Sequence, residues 1–446
     1  MCCRSCLHNT CRIAALALLT SSVLLSQQPA PDKESRILER LDELEKQNKE
    51  LLSEIQALRE ELHSMSTPPD EDQQNLQEKV SVDEQRINEQ AQTKVEASQK
   101  FPISLTGMFL FDGFVAKGTN TANTYEDYSL GGPGGGANLQ QSIIGLDFRG
   151  PQILGDGRIN GFLAMDFFGG DYTASFRIRR GVVSFDWKNQ SIIFGQDKSI
   201  VAPLQPTSFA RVGVPPLSGA GNLWLWRPQV TFEERIPISK ATRATVQASV
   251  FETDESYTAP FLASSAVEAQ RPALQARVEL QHDWSDETKI TVGVAGDGST
   301  SHVLGQSIPS RVISADALIK ARRWLEISGT IFRGKNFANL GGVPGGVTID
   351  SDQVVIPIRG SAGWVQVAFP VTKRLTFDAY SGRQVNDPRD LNPYETLRTE
   401  TTAGNVLYRI APNVVLGFEA ARNRLEYLNA LTFWTNRYDA TVAYLF

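Results

Sequence analysis

From residue 103 to the C terminus the hydropathy of this chain repeats with a period of two. In 273–283, Leu274, Val278 and Leu280 oppose Gln275, Arg277, Glu279 and Gln281. In 157–168, Ile159, Leu163, Met165 and Phe167 oppose Asn160 and Asp166, and in 433–446 Trp434, Tyr438, Val442, Tyr444 and Phe446 oppose Arg437 and Asp439. That alternation is the signature of strands with one apolar and one polar face. Sixteen segments of this kind follow one another, an even number, among them 139–150, 288–297 and 311–321. Their connections alternate in length. Lys188-Asn189, 237–240, 284–287, Arg322-Arg323, 370–373 and Ala411-Pro412 are short, as is the turn 151–156. Between them lie 118–138, 198–227, 253–272, 298–310, 335–357 and 386–396. Short turns at one end and long loops at the other are the pattern of an outer-membrane barrel. A soluble sandwich has no reason to alternate in this way. The expectation is an all-β protein, a 16-stranded antiparallel transmembrane β-barrel spanning 101–446, preceded by an N-terminal α-helical coiled-coil segment. At this strand number the interior holds water, so the ionic faces point inward and the oily faces into lipid. Trp187, Trp284, Trp324, Phe369 and Phe433-Trp434 fall at strand ends, where aromatic girdles sit.

The first hundred residues are different in kind. They carry 12 Lys and Arg against 18 Asp and Glu, so the formal net charge of -6 resides there and the remainder balances at 32 of each. No basic block points to nucleic acid. Ile13 to Leu25 is apolar but too short to cross a bilayer, which takes roughly 20 residues. With Arg4 and Arg12 before it and Ser26, Gln27 and Gln28 after it, it reads as a signal peptide, 1–28, cut after Ser26 or near Ala30. Cys2, Cys3, Cys6 and Cys11 all lie at or before that run. The exported chain then has no disulfide, no thiolate metal site and no cysteine nucleophile, which suits an oxidising periplasm.

Within 32–66 the apolar spacing is 4,3,4,3: Ile37, Leu41, Leu44, Asn48, Leu51, Ile55, Leu58 and Leu62. This a/d seam predicts a coiled coil, a rod of about 40 Å for about 26 residues, with Asn48 fixing register. A narrow self-pairing seam implies an oligomer, and its mixed Leu and Ile leave two or three strands open. Thr67-Pro68-Pro69 ends the helix. A polar linker with a weaker helical period, 67–100, leads to the boundary at Phe101-Pro102.

The connection 198–227 is too long to be idle. Pro203, Pro206, Pro215, Pro216, Gly213, Gly219 and Gly221 forbid helix or ladder there, and Phe209, Leu217, Leu223, Trp224 and Trp226 need something to pack on. We expect it to fold back into the lumen and narrow it. The candidate pore-lining and constriction residues are Arg177, Arg179, Lys198, Arg211, Arg227, Gln229, Glu233, Arg235, Arg243 and Arg277. Two readings of the arginines stand side by side. They form an electropositive wall that attracts carboxylates, or they pair with wall carboxylates such as Glu233 and Glu279 and hold the loop.

Enzyme chemistry finds little support. His63, His282 and His302 are the histidines beyond the signal peptide. His282 beside Asp283 and Ser285 is the one local arrangement resembling a nucleophile and base, and a turn histidine is its plain reading. No metal-binding spacing occurs. Gly131–Gly136 and Gly341–Gly346 lack the Gly-Lys-Ser/Thr that holds phosphate and read as flexible outer loops. Neither a catalytic residue, a metal nor a cofactor is expected.

The closing Val442-Ala443-Tyr444-Leu445-Phe446, with Tyr444 and Phe446 on one face, resembles the assembly signal of Gram-negative outer-membrane proteins. Phe176-Arg177-Ile178-Arg179-Arg180-Gly181, Phe194-Gly195-Gln196-Asp197 and Trp226-Arg227-Pro228-Gln229-Val230 resemble segments of the DcaP-like porins. That family shares the plan of signal peptide, coiled coil and 16-stranded barrel with a long fifth connection. The phosphate-selective porins are a related second plan. The resemblance implies a homotrimer in the cell outer membrane, its stalk in the periplasm. It also implies passive diffusion of small hydrophilic solutes, with anions such as dicarboxylates favoured. Partners would be the lipid bilayer, lipopolysaccharide, the outer-membrane assembly machinery and the solutes. Two further readings remain: a structural or adhesive envelope barrel with a closed pore and a stalk touching peptidoglycan, and a barrel hydrolase.

Overall fold

The period of two closes on itself. The computed structural model describes residues 103–118, 134–169, 175–253, 258–260, 262, 267–268, 272–285, 287–430 and 432–446, together with Ser53, Glu54 and Ala57. The signal peptide, the coiled-coil seam from Ile37 to Leu62 and the linker 67–100 lie outside the described residues.

The wall runs in chain order: β1 (Ile103–Gly118), β2 (Gly134–Asn138 and Ile143–Ile153), β3 (Gly157–Asp166), β4 (Arg177–Asp186), β5 (Gln190–Lys198), β6 (Trp226–Pro237), β7 (Thr242–Phe251) and β8 (Ala273–Ser285). It continues with β9 (Thr288–Val303), β10 (Gln306–Arg322), β11 (Leu325–Lys335), β12 (Arg359–Pro370), β13 (Leu375–Asn386), β14 (Thr396–Ala411), β15 (Val414–Tyr427) and β16 (Thr432–Leu445). Each strand pairs antiparallel with the next. The barrel closes where β16 meets β1, from Met108 opposite Leu445 to Gly118 opposite Thr435. Phe446 extends that seam, its carbonyl accepting from Gly107 N–H at 2.9 Å and its own N–H donating to Gly107 at 3.1 Å. Closure leaves the wall no free edge.

Face assignment follows the expected sign. Large apolar side chains stand outward and uncovered, Leu274 at 66%, Ile331 at 67% and Phe109 at 57% exposure. Asp112, Arg277, Asp316, Glu419, Arg437 and Asp439, on the other face, are buried. In water such an outer surface would be unstable, whereas in hydrocarbon it is the solvent-compatible face.

Three local expectations are corrected. The loop expected at 298–310 is ladder: β9 and β10 run on, pairing as far as Val303 opposite Gln306. They join through Leu304 (φ 51°) and Gly305 (φ 73°), a two-residue turn whose twist matches the strands. The second strand starts at Gly134 rather than at 139, so Gly134–Gly136 belong to ladder, pairing with Val115 and its neighbours. It is then interrupted. The four-residue step from Met108 to Asp112 of β1 faces the five-residue step from Asn138 to Ile143, and the surplus residue makes a bulge. Finally, Gly341–Gly346 are not an idle outer loop. Phe337, Ala338, Asn339, Leu340 and Val343 beside and within them are buried.

Candidate functional site

The segment between β5 and β6 is built of prolines and glycines, so it cannot satisfy its backbone by pairing with itself. It bonds instead to inward-facing side chains all round the wall. Ser199 donates to Gln275 of β8 (3.0 Å), and Ser314 of β10 donates to the Val201 carbonyl (2.7 Å). Thr207 N–H reaches Gln366 of β12, and Asn405 of β14 returns a bond to the Thr207 carbonyl. Ser208 donates to Glu419 of β15 at 2.5 Å. Gln141, turned inward by the bulge of β2, donates to the Ala210 carbonyl (3.0 Å) and accepts from the Val212 (2.5 Å) and Gly213 (3.1 Å) amides. Arg177 of β4 donates to the Gly213 carbonyl at 2.6 Å. The chain then crosses back. Leu217 packs with Trp364, Tyr380, Ala403 and Ala421 of β12 to β15, and Thr399 of β14 donates to the Gly219 carbonyl (2.5 Å). Gly221 (φ +107°) lies so near the wall that a Cβ there would sit 2.3 Å from the Gly363 carbonyl oxygen, a spot only glycine fits.

A second inward segment, invisible to the sequence reading, supports the first. The connection after β11 places Phe337 and Leu340 against Val201, Ala202 and Leu223. The Leu340 carbonyl accepts from Trp224 N–H at 3.0 Å, and Val343 N–H donates to Gln384 at 3.0 Å.

At the far wall the loop is seated on charge. Glu419 accepts from Ser208, from the Tyr380 hydroxyl (2.7 Å) and from Asn405 (3.3 Å), with Arg211 nearby. Arg437, fully buried, bridges Asp439 (2.6 Å) and Asp112 (3.4 Å) and lies 4.3 Å from the Phe114 ring centre. A buried charge survives only with partners of this kind.

The two ends of the loop come together at β4, and here the three resemblance segments converge. Ala164 opposes Arg180 while Met165 opposes Ile178, so Arg179 is an extra residue in β4. The bulge sends Arg177, Arg179 and Arg180 to the inner side together, with Ile178 left outward at 51% exposure. Strict alternation assigned only Arg177 and Arg179 inward and missed Arg180. Gln196 caps the bulge, donating to the Ile178 (2.7 Å) and Arg179 (3.4 Å) carbonyls. Gly195 (φ +133°) permits this, since its Cβ would lie 2.0 Å from the Gly181 oxygen. Asp166 holds Arg177 with two bonds (3.1 and 2.6 Å), and Asp197 holds Arg180 with two (2.6 and 2.8 Å). Arg179 is only 3.8 Å from Asp166 at its Nε, leaves Nη1 without a hydrogen-bond partner, and lies 4.7 Å from the Trp226 ring centre. Arg227 pairs across the ladder with Asp197, and Lys198 with Trp226. Four cations, Arg177, Arg179, Arg180 and Lys198, thus gather around two carboxylates, Asp166 and Asp197, with Arg227 opposite Asp197 in the ladder. Gln229 secures the loop's departure by donating to the Lys198 carbonyl at 2.7 Å.

The other expected residues form separate groups. Arg235 bonds Glu233 (2.6 Å), Ser191 and two carbonyls at the short-turn end. Arg243 donates to Gln281 (2.8 Å). Arg277 is clamped by Asp316 (2.5 and 2.9 Å) and Glu279 (2.8 Å). Arg211 stands on the Glu419 side. One continuous basic wall is therefore not what the strands assemble. There is one cationic cluster at the loop's ends, plus Arg235 and Arg277 matched in place by carboxylates and Arg243 held by an amide. Tyr444 faces outward and stacks on Phe446 at 6.4 Å, and Phe446 also meets Phe109 at 5.4 Å. Among the described residues no group of three or more His, Cys, Asp and Glu is placed to hold a metal ion.

No protein-family profile and no curated protein matches this sequence. Solved structures do. The outer-membrane channel DcaP of Acinetobacter baumannii superposes with a TM-score of 0.63 at 18% identity, over 77% of this chain and 97% of that one. OmpT, an outer-membrane protein of Vibrio cholerae, matches at 0.48 and 9% identity over 77% and 97%, and a porin at 0.47 and 12% over 77% and 100%. The first carries the argument: the described sixteen-stranded closed barrel is similar in fold to DcaP, an outer-membrane channel.

Proposed function

We propose that the chain is a passive porin of the outer membrane, acting as a homotrimer with its N-terminal stalk in the periplasm, and that it passes small hydrophilic solutes with a preference for anions such as dicarboxylates. The observation that carries this reading is the cationic cluster on β4 to β6. It sits at both roots of a segment that spans the lumen, and its four cations Arg177, Arg179, Arg180 and Lys198 face two carboxylates, Asp166 and Asp197. Arg179 Nη1, buried and without a hydrogen-bond partner, is the donor an entering carboxylate would satisfy. Uncompensated charge in a narrowed, low-dielectric passage concentrates the opposite ion. The wall arginines Arg235 and Arg277, already matched, contribute structure rather than field.

Planar-bilayer recording tests both levels. Open steps with a reversal potential on the anion side of a KCl gradient are expected. A cation-selective value removes the anion preference, and a folded barrel that stays silent removes the pore. Deleting 37–62 tests the stalk: loss of heat-modifiable oligomers is expected, and unaltered oligomers would assign trimer formation to the barrel alone.

A second reading, a closed structural barrel, draws on one observation. Val201 and Leu223 of the first inward segment and Phe337 and Leu340 of the second form an apolar cluster that also includes Phe251 and Phe332 of the wall. Silence in the same recording is its expected result.

A further inference from the structure

The outer face of the barrel carries a concavity of about 1260 Å³ over β8 to β14. Its lining includes Val294, Ile313, Ile331 and Val365, which stand outward at 59%, 65%, 67% and 48% exposure. The luminal side of the same strands is occupied by Leu217, Gly221 and Leu223, and none of these lines it, so the hollow opens toward the membrane. Small residues make it hollow. Gly296, Ala315, Ser361, Gly363 and Ser381 stand where neighbouring outward positions carry branched side chains.

Two arginines sit on its long-loop rim. Arg333 of β11 opposes Ser361 of β12, and Arg383 of β13 opposes Gly363 of β12. They therefore flank one strand, about two strand spacings or roughly 10 Å apart, over a floor without side-chain bulk. Both are exposed, and neither has an ion pair or side-chain hydrogen bond among the described residues. Glu400 stands opposite Arg383 in the ladder and lines the same hollow, but its ion pair is with Arg398, and Glu426 is held by Arg424. The surplus on this face is positive, directed toward lipid at the end of the barrel that bears the long loops.

We infer that this hollow is a binding site for a phosphorylated, multiply acylated glycolipid of the outer leaflet, its phosphate between Arg333 and Arg383 and an acyl chain along the Ile313–Ile331–Val365 floor. Arginines that face hydrocarbon without a bonded partner are costly, and a phosphate gives them a bidentate one. A second copy of the chain would have to bring an acidic patch, and the carboxylates of this face are already spent on their own neighbours. The inference rests on reading the barrel as an outer-membrane protein with its long loops outside.

The test is native mass spectrometry of the full-length protein extracted from its own outer membrane in mild detergent, then re-lipidated with purified lipid A or its dephosphorylated form. Wild type is expected to retain the phosphorylated lipid and to release the dephosphorylated one. R333Q/R383Q is expected to lose retention at least tenfold. At Gly296 an added Cβ would meet only the Val312 oxygen, 4.0 Å away, so G296F fills the hollow without disturbing the wall. It is expected to lose retention while keeping the heat-shifted folded band and the bilayer conductance. Retention at wild-type level in R333Q/R383Q overturns the site. So does a wild type without lipid whose oligomers dissociate in R333Q/R383Q, which would make the face a contact between copies. A barrel that retains lipid yet never conducts leaves this site standing and removes the porin reading instead.

Discussion

Replacing Gln141 by alanine probes what keeps the cross-lumen segment in place. The side chain is 4% exposed and makes four contacts: to the Asp112 carboxylate (3.2 Å), the Ala210 carbonyl, and the amides of Val212 and Gly213. Q141A strands two backbone N–H groups and takes a donor from a buried carboxylate. Each unsatisfied buried group costs about 1–3 kcal/mol. Water in the lumen can repair part of this, so we expect the docked state of residues 208–213 to lose about 2–4 kcal/mol. The barrel ladders are untouched. The four cysteines all lie within the first eleven residues, so in protein expressed without residues 1–28 an A210C reporter is a lone thiol at a site now 3% exposed. Where labelling proceeds through local opening, its rate follows the opening constant. At tenfold per about 1.4 kcal/mol, A210C/Q141A is expected to react with a membrane-impermeant maleimide roughly 30- to 700-fold faster than A210C. Equal rates in two barrels with the same heat-shifted mobility would refute the claim that Gln141 holds the loop.

Asp316→Ala leaves Arg277 buried with Glu279 as its remaining carboxylate partner; we expect about 3–5 kcal/mol of destabilisation, read as a lower temperature for loss of the compact band, with D316L/R277M recovering much of it. Gly195→Ala brings a Cβ within 2.0 Å of the Gly181 carbonyl oxygen; we expect loss of the β4 bulge and of ion selectivity, and wild-type reversal potentials in G195A would contradict the cluster geometry. In the loop after β13, hydrogen bonds from the Arg389 side chain hold Asp387 below the ordinary carboxylate range, and hydrogen bonds from Arg359 (2.7 and 2.6 Å) lower Asp390. Depressed carboxylates lend stability that is full above their unfolded pKa and lost as pH falls through the folded one. Protease resistance of 387–395 is therefore expected to be flat from pH 8 to about 5, to begin to decline at about 4 and to be lost only well below that, with D390N failing already at neutral pH.

The barrel was legible because its evidence is local and repeated. Alternation in each strand and alternation in loop length can both be counted along the chain, and closure follows from them. What escaped the sequence depended on a single residue or on remote contacts. One surplus residue at Arg179 reverses the parity of everything beyond it in β4, so Arg180 was left off the inner face although its pairing with Asp197 makes it part of the cluster. The same kind of insertion in β2 turns Gln141 inward, and nothing in Asn138-Leu139-Gln140-Gln141 announces it. Leu304-Gly305 is a turn signal of two letters inside a Ser- and Gly-rich stretch that otherwise reads as loop. The Gly341–Gly346 run looked flexible because glycine usually is. Its burial comes from Phe337 and Leu340 finding Val201 and Leu223, more than a hundred positions away. The arginine question divided the same way: composition supplied the cations, but only the register decides which are cancelled by Asp316, Glu233 or Asp166.

Between Gly213, tied to β4, and Leu217, wedged among β12 to β15, there are three residues and half the circumference of the wall. A strut fixed at opposite points of a tube opposes ovalisation. When lateral pressure in the surrounding bilayer rises, an unbraced cylinder of this size would flatten and its bore would change. With the Val214-Pro215-Pro216 spoke in place, squeezing the cross-section means compressing proline-stiffened backbone. The calibre of the opening is thereby insulated from the mechanical state of the membrane.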